Sequence, residues 1–110
     1  EAVSRRDFSY PFLVRKLCRN PARIFGLPGK GTLDPGTDAD IVVFDPTETY
    51  TIDADDNASK ADFSIYEGRE VTGRVQKTFV RGELVADDGD IVGREGHGEF
   101  VARERPDWSF

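Results

Sequence analysis

The run Ile41-Val42-Val43-Phe44 constrains this chain more than any other stretch. Four consecutive large apolar residues, three of them β-branched, favour an extended strand and leave no polar side chain to turn toward water. Such a strand asks for cover on both faces. A chain of 110 residues that folds alone hides only about two thirds of its surface. Partner strands must therefore be found for this run, and an unpaired edge here is an association hazard.

Partners are visible downstream. Val75, Lys77 and Phe79 alternate with Gln76, Thr78 and Val80, the period of a strand. Arg81-Gly82 makes a two-residue turn into Glu83-Leu84-Val85-Ala86, the clearest hairpin in the chain. Asp88-Gly89 predicts a second turn before Ile91-Val92. Upstream, Thr32-Leu33 predicts a short strand. Asp34-Pro35-Gly36 predicts a turn, with Pro preset for the first corner and Gly free to take positive φ. Asp45-Pro46 is expected to stop the strand that begins at Asp40, and Thr49-Tyr50-Thr51-Ile52 to form another. Residues 53–60 read as an acidic surface loop, and Phe63, Ile65 and Tyr66 as an apolar island in a longer connection.

The first thirty residues have another character. Phe8, Phe12, Leu13 and Leu17 form a helical stripe over 8–19, with Arg15, Lys16 and Arg19 beside it. Ser9 can cap its start, and Pro11 is tolerated in the first turn. Asn20-Pro21 is expected to interrupt it, Asn20 capping a second short helix that Gly26 ends in a left-handed conformation. Leu27-Pro28-Gly29-Lys30-Gly31 reads as a hinge-like loop. Residues 1–30 carry a net charge of +5 and residues 31–110 of -11, which predicts two structural bodies. The overall charge of -6 argues against nucleic acid as a partner. Arg5, Arg6, Arg15, Lys16, Arg19 and Arg23 are the only candidates for such binding, and an exposed helix face is the simpler account. No apolar run approaches the roughly 18 residues of a membrane span, and no signal peptide is present, so the expected location is cytoplasmic. The sequence opens mid-pattern at Glu1 without a Met, which leads us to expect further chain upstream.

Residues with reactive chemistry are few. One Cys and one His exclude an internal disulfide and put structural zinc, with its roughly four ligands, out of reach. Cys18 reads as a half-buried inert thiol beside the Leu17 stripe. His97 lies in a Gly-rich loop, and a general base needs a nucleophile within hydrogen-bond reach, which no motif supplies. Asp40 and Asp45 bracket a strand, where acids face solvent or cap turns. Asp53, Asp55 and Asn57 match the first spacings of a calcium loop, but Ala58 and Ser64 stand where Gly and a bidentate Glu are needed. Gly29-Lys30-Gly31 and Gly96-His97-Gly98 begin like dinucleotide loops and fail at Asp34 and Val101. Asn57-Ala58-Ser59 is a formal glycosylation sequon. The residues therefore predict no catalytic, cofactor-binding or metal-binding position.

Several stretches, in order, resemble the C-terminal end of the cyclic-amide hydrolases of the amidohydrolase superfamily: hydantoinase/dihydropyrimidinase, dihydroorotase and allantoinase. Asn20-Pro-Ala-Arg-Ile-Phe-Gly-Leu27 resembles their last barrel-side helix. Lys30 to Pro46, with Gly36 ahead of Asp38-Ala39-Asp40-Ile41-Val42, resembles the return strand that follows; this signature is specific for the superfamily rather than for a substrate. Asp62 to Gly68, Glu70 to Gly73, Val80 to Glu83 and Val92 to Gly98 are similar to the hydantoinase/dihydropyrimidinase branch. The likeness runs over residues 9–103.

The resemblance implies a mixed, mainly β fold: the C-terminal part of a composite β-sandwich preceded by the last helices of a (β/α)8 barrel. Residues 1–30 would be terminal barrel helices, 31–92 sandwich strands and 93–110 an extended tail. It implies a parent enzyme that opens hydantoin- or dihydropyrimidine-type rings with two divalent metals, usually zinc, bridged by hydroxide. Its ligands would be several His, an Asp and a carboxylated Lys at barrel strand ends. None maps onto a position here, so this segment alone is expected to be inactive. The implied partners are the upstream barrel and N-terminal strands of the same enzyme, and a second copy through the sandwich or through Trp108 and Phe110 of the tail. Residues 55–60 lack the paired His frequent in hydantoinases, which leaves dihydroorotase or allantoinase as alternatives. A stand-alone β-rich interaction module without catalysis is the alternative of another class.

Overall fold

The computed structural model describes residues 2–56, 58 and 60–109. A short helix α1 (Ala2–Arg6) precedes a continuous helical rod built from α2 (Tyr10–Val14), a π-helical turn (Arg15–Arg19) and α3 (Asn20–Phe25). Four strands follow: β1 (Ile41–Thr51), β2 (Glu70–Val80), β3 (Glu83–Asp87) and β4 (Asp90–Ile91). They form one antiparallel sheet in the order β1-β2-β3-β4. The result is a mixed α/β chain, helical at the start and a meander thereafter.

The rod starts as its sequence dictates. Ser9 is extended (φ -72°, ψ 151°) and its hydroxyl accepts from the Phe12 N–H at 3.3 Å, with Pro11 in the first turn. The break expected at Asn20-Pro21 does not occur. Asn20 is helical (φ -65°, ψ -46°), caps nothing, and donates its N–H back to the Arg15 carbonyl. That i to i-5 bond widens the turn and makes room for the Pro21 ring, which an α-helical turn would press against a carbonyl. Gly26 then ends the rod (φ 64°, ψ 45°). Gly26 N–H reaches the Arg23 carbonyl at 3.1 Å, and Leu27 N–H the Ala22 carbonyl at 2.8 Å, the paired bonds of a Schellman end.

Thr32-Leu33 is not a strand; the loop there lies against the rod, so close that a Cβ on Gly31 would come 2.6 Å from the Cys18 carbonyl. The Asp34-Pro35-Gly36 turn forms as expected, with Thr37 N–H on the Asp34 carbonyl at 3.1 Å and Gly36 at φ 94°. Asp45-Pro46 does not stop β1. The register passes from Asp45↔Arg74 to Thr49↔Thr72, so β1 bulges over 46–48. Asp45 Oδ1 holds the bulge, accepting from Thr47 N and Thr47 Oγ1, both at 2.7 Å, and from Glu48 N at 3.2 Å. Pro46 lies in the bulge, where its missing N–H interrupts no ladder bond.

Both predicted turns are present, with positive φ at Arg81, Gly82, Asp88 and Gly89, the form that suits two-residue hairpins. The described residues enclose almost no core. Ala22 and Asn20 are the buried side chains, and no large side chain is fully buried. The accessible surface is 8767 Å², whereas a compact monomer of this length exposes about 6,100 Å². The radius of gyration is 15.9 Å, against about 13 Å for a self-contained domain. Val42, Val43 and Phe44 are all exposed, so the strand expected to be covered on both faces is not covered by this chain's own residues.

Candidate functional site

Polar side chains converge at the β2–β3 turn. Val80 and Glu83 form the last rung of the hairpin, flanking Arg81-Gly82. His97 returns from the tail onto this rung, its Nε2 2.9 Å from the Val80 carbonyl and its Nδ1 3.3 Å from Glu83 Oε2. Arg94 Nε approaches Glu83 Oε1 at 3.2 Å, and the Arg81 guanidinium donates to the His97 carbonyl. The loop before β1 clamps the turn from the other side. Gly82 N–H donates to the Ala39 carbonyl and Arg81 N–H to Asp40 Oδ1, both at 2.9 Å. Lys30 Nζ bridges Asp40 Oδ2 at 2.5 Å and Asp38 Oδ2 at 2.8 Å. These bonds, to Asp38 first, raise the Lys30 ammonium above its ordinary value, while Lys30 and then the Arg81 N–H hold the Asp40 carboxyl below its own.

A second junction ties the tail to the rod. Glu104 N–H donates to the Gly26 carbonyl at 2.7 Å and Asp107 N–H to the Arg23 carbonyl at 3.1 Å. The Arg23 guanidinium pairs with Asp107 and with the Ser109 carbonyl. The Ser109 hydroxyl and N–H, and after them Arg23, hold the Asp107 carboxyl far below the usual carboxylate range. Trp108 stays exposed.

The third feature is an apolar cleft of about 500 Å³ between the rod and β1, lined by Val3, Tyr10, Leu13, Val14, Leu17, Cys18, Val42 and Phe44. Tyr10 and Phe44 meet edge to face with centroids 6.1 Å apart. Leu17 is 72 % exposed. The helical stripe expected from Leu13 and Leu17 thus exists, but nothing among the described residues covers it.

The residues weighed from sequence are not brought together. Cys18 is exposed rather than half-buried, because the π turn presents it beside Leu17 at the cleft. Asp45 holds its own bulge, and Asp53 Oδ1 accepts from Asp55 N–H at 2.9 Å within the loop. Asn57 and Ser59 of the calcium spacing and the sequon, and Phe110 of the tail, lie outside the described residues. Of the basic cluster, Arg23 is engaged by the tail and Lys16 lies over the Phe12 ring at 5.7 Å. Among the described residues no three His, Cys, Asp or Glu side chains gather as a metal requires, and no helix is long and apolar enough to cross a membrane. Sequence reasoning missed the Arg81–Glu83–Arg94–His97 cluster. Its only signal was a lone His downstream of a two-residue turn, and no local period links the two.

The amidohydrolase family model matches residues 2–85, so the chain belongs to the amidohydrolase family. Its relatives place it close to hydantoinases and dihydroorotases. It is 49 % identical over 87 residues to a D-hydantoinase of Streptomyces coelicolor, covering 78 % of this chain and 19 % of that protein. It is 41 % identical over 102 residues to a dihydroorotase of Methanothermobacter thermautotrophicus, covering 93 % and 23 %. The crystal structure of a D-hydantoinase from Bacillus sp. AR9 superposes with a TM-score of 0.90 at 33 % identity, covering 97 % of this chain and 24 % of that one. The chain thus spans about a fifth to a quarter of the length of these relatives.

Proposed function

We propose that this chain is the closing C-terminal segment of a metal-dependent hydrolase that opens cyclic amide rings of the hydantoin or dihydropyrimidine type. In this reading residues 1–30 end the (β/α)8 barrel, 31–92 complete a composite β-sandwich and 93–110 form the tail. The observation that carries it is the uncovered apolar face shared by the rod and β1, with Leu17, Val42 and Phe44 all exposed. A face of that kind marks a packing surface, here for the barrel and N-terminal strands of the same enzyme. A second copy is proposed to meet the sandwich or the exposed Trp108, and the enzyme is taken to act in the cytoplasm.

The family implies two divalent metals, usually zinc, with a carboxylated Lys. The donors of this chain do not fit such a centre. Its one imidazole already faces Val80 and Glu83, and Lys30 and Lys77 are paired with carboxylates. No step of ring opening is therefore assigned to these residues, and the segment by itself is expected to be inactive.

Assay of the full-length, metal-loaded protein against hydantoin, dihydrouracil, dihydroorotate and allantoin tests the reading. Turnover of hydantoin or dihydrouracil supports it. Turnover of dihydroorotate alone would move the assignment to dihydroorotase, a second reading favoured by the 93 % coverage in the match to the archaeal dihydroorotase. Ring opening by the metal-free 110-residue chain would overturn the proposal.

A further inference from the structure

We infer that His97 is a proton-operated clasp that fastens the tail to the β2–β3 hairpin. The inference rests on which atoms can donate. The Val80 carbonyl can only accept, so Nε2, at 2.9 Å, carries a proton. Glu83 is a carboxylate and can also only accept, and it stands 3.3 Å from Nδ1. Nδ1 is buried and finds no other hydrogen-bond partner among the described residues. A neutral ring therefore aims a bare lone pair at a carboxylate and leaves a buried nitrogen unsatisfied. The doubly protonated ring satisfies both neighbours at once and joins the two residues of the last hairpin rung through a single side chain.

The surrounding charges are set for a poised balance. Arg81, from the turn, lies 3.5 Å from Nε2 and opposes the imidazolium, but it is drawn off by the His97 carbonyl and by Glu99 at 3.6 Å. Arg94, from the tail, shares Glu83 from its other oxygen and is largely exposed. Asp40, from the loop before β1, takes the Arg81 N–H at 2.9 Å. Glu83 is the one carboxylate in contact with the ring.

Tail attachment depends on this point. Gly93 N–H is held by the Val85 carbonyl at 3.0 Å, and the next backbone bond to the rest of the fold is Glu104 N–H to Gly26. Between them the His97 ring and carbonyl are the fastening. Loss of the ring proton therefore loosens residues 94–103 while β2 and β3 stay paired.

Hydrogen-exchange mass spectrometry on the full-length protein reads this directly. Tail peptides are compared at about pH 5.5 and about pH 8.5, either side of the range in which histidines titrate. After correction for intrinsic chemical exchange, protection over 94–103 is expected to fall about tenfold at the higher pH, with β2–β3 amides unchanged as the internal reference. His97→Gln keeps a donor for Val80 but cannot take a charge, so its tail is expected to exchange fast at both pH values. Glu83→Gln keeps the imidazole and is expected to flatten the pH dependence. Tail protection that is constant with pH in the natural protein overturns the inference, as does an unaltered pH dependence in either variant.

Discussion

Glu104 donates its backbone N–H to the Gly26 carbonyl, and the Glu104 carbonyl occupies the place where a Cβ on Gly26 would stand. Gly26 is thus required twice, once for its left-handed φ of 64° at the end of the rod and once for the passage of the tail. Gly26→Ala is expected to cost about 1–2 kcal/mol through the left-handed conformation alone, and more through displacement of the tail. Denaturant unfolding of the full-length protein, with exchange at the Glu104 and Asp107 amides, checks both parts. A variant as stable and as protected as the parent removes the close approach from the account.

Gly73 faces Phe44 across the β1–β2 ladder. A Cβ on it would lie 2.5 Å from Phe44 Cζ, and its φ of 105° is one that side chains avoid. Gly73→Ala is expected to destabilise by about 1–3 kcal/mol by forcing the ring out of its rotamer. Adding Phe44→Leu should recover the part due to the clash and leave the part due to backbone strain. A double mutant no more stable than Gly73→Ala alone would assign the whole cost to the backbone.

Asp40 gives the turn cluster an acid limit. Its folded carboxyl lies below the ordinary 3.8 because Lys30 first, and the Arg81 N–H after it, bind the charged form. A depressed carboxyl contributes stability that is fully present above 3.8 and drains away as pH falls through the lower folded value. Asp40→Asn is therefore expected to cost of order 1 kcal/mol near neutral pH, the pair being partly exposed, and to cost progressively less in acid. Urea melts of parent and variant at about pH 7 and about pH 3 show this as a closing gap. A gap that is constant with pH would mean that the carboxylate charge contributes nothing.

What was legible in the sequence was local. Ser9, Gly26, Arg81-Gly82 and Asp88-Gly89 each impose a backbone conformation on their own neighbours, and each appears where it was expected. The misreadings come from defects that the fold absorbs. Pro21 looked like a helix break, but a π turn makes room for it. Pro46 looked like a strand end, but a bulge pinned by Asp45 carries it within β1. Residues 70–74 lack a clean alternation and became strand through pairing with 45–51, a long-range effect that no window reveals. The His97 clasp is hidden for the same reason, since its partners lie at positions 80, 81 and 83.

Leu17 separates a packing surface from a solvent surface. It is 72 % exposed among this chain's own residues and sits at the cleft against β1. Were that face open to water in the working protein, Leu17→Ala would change stability by no more than about 0.5 kcal/mol. If a barrel and further strands cover it, the same substitution removes a core side chain and costs about 2–5 kcal/mol. The second result is expected for the full-length enzyme, because a lone apolar stripe continuous with Val42 and Phe44 is too large to be left wet. Thermal melts of full-length parent and Leu17→Ala decide between them, with Leu33→Ala as control, a loop residue 74 % exposed and outside that cleft. Equal and negligible effects at both positions would return the rod–β1 face to solvent and remove the main support for a parent enzyme built around it.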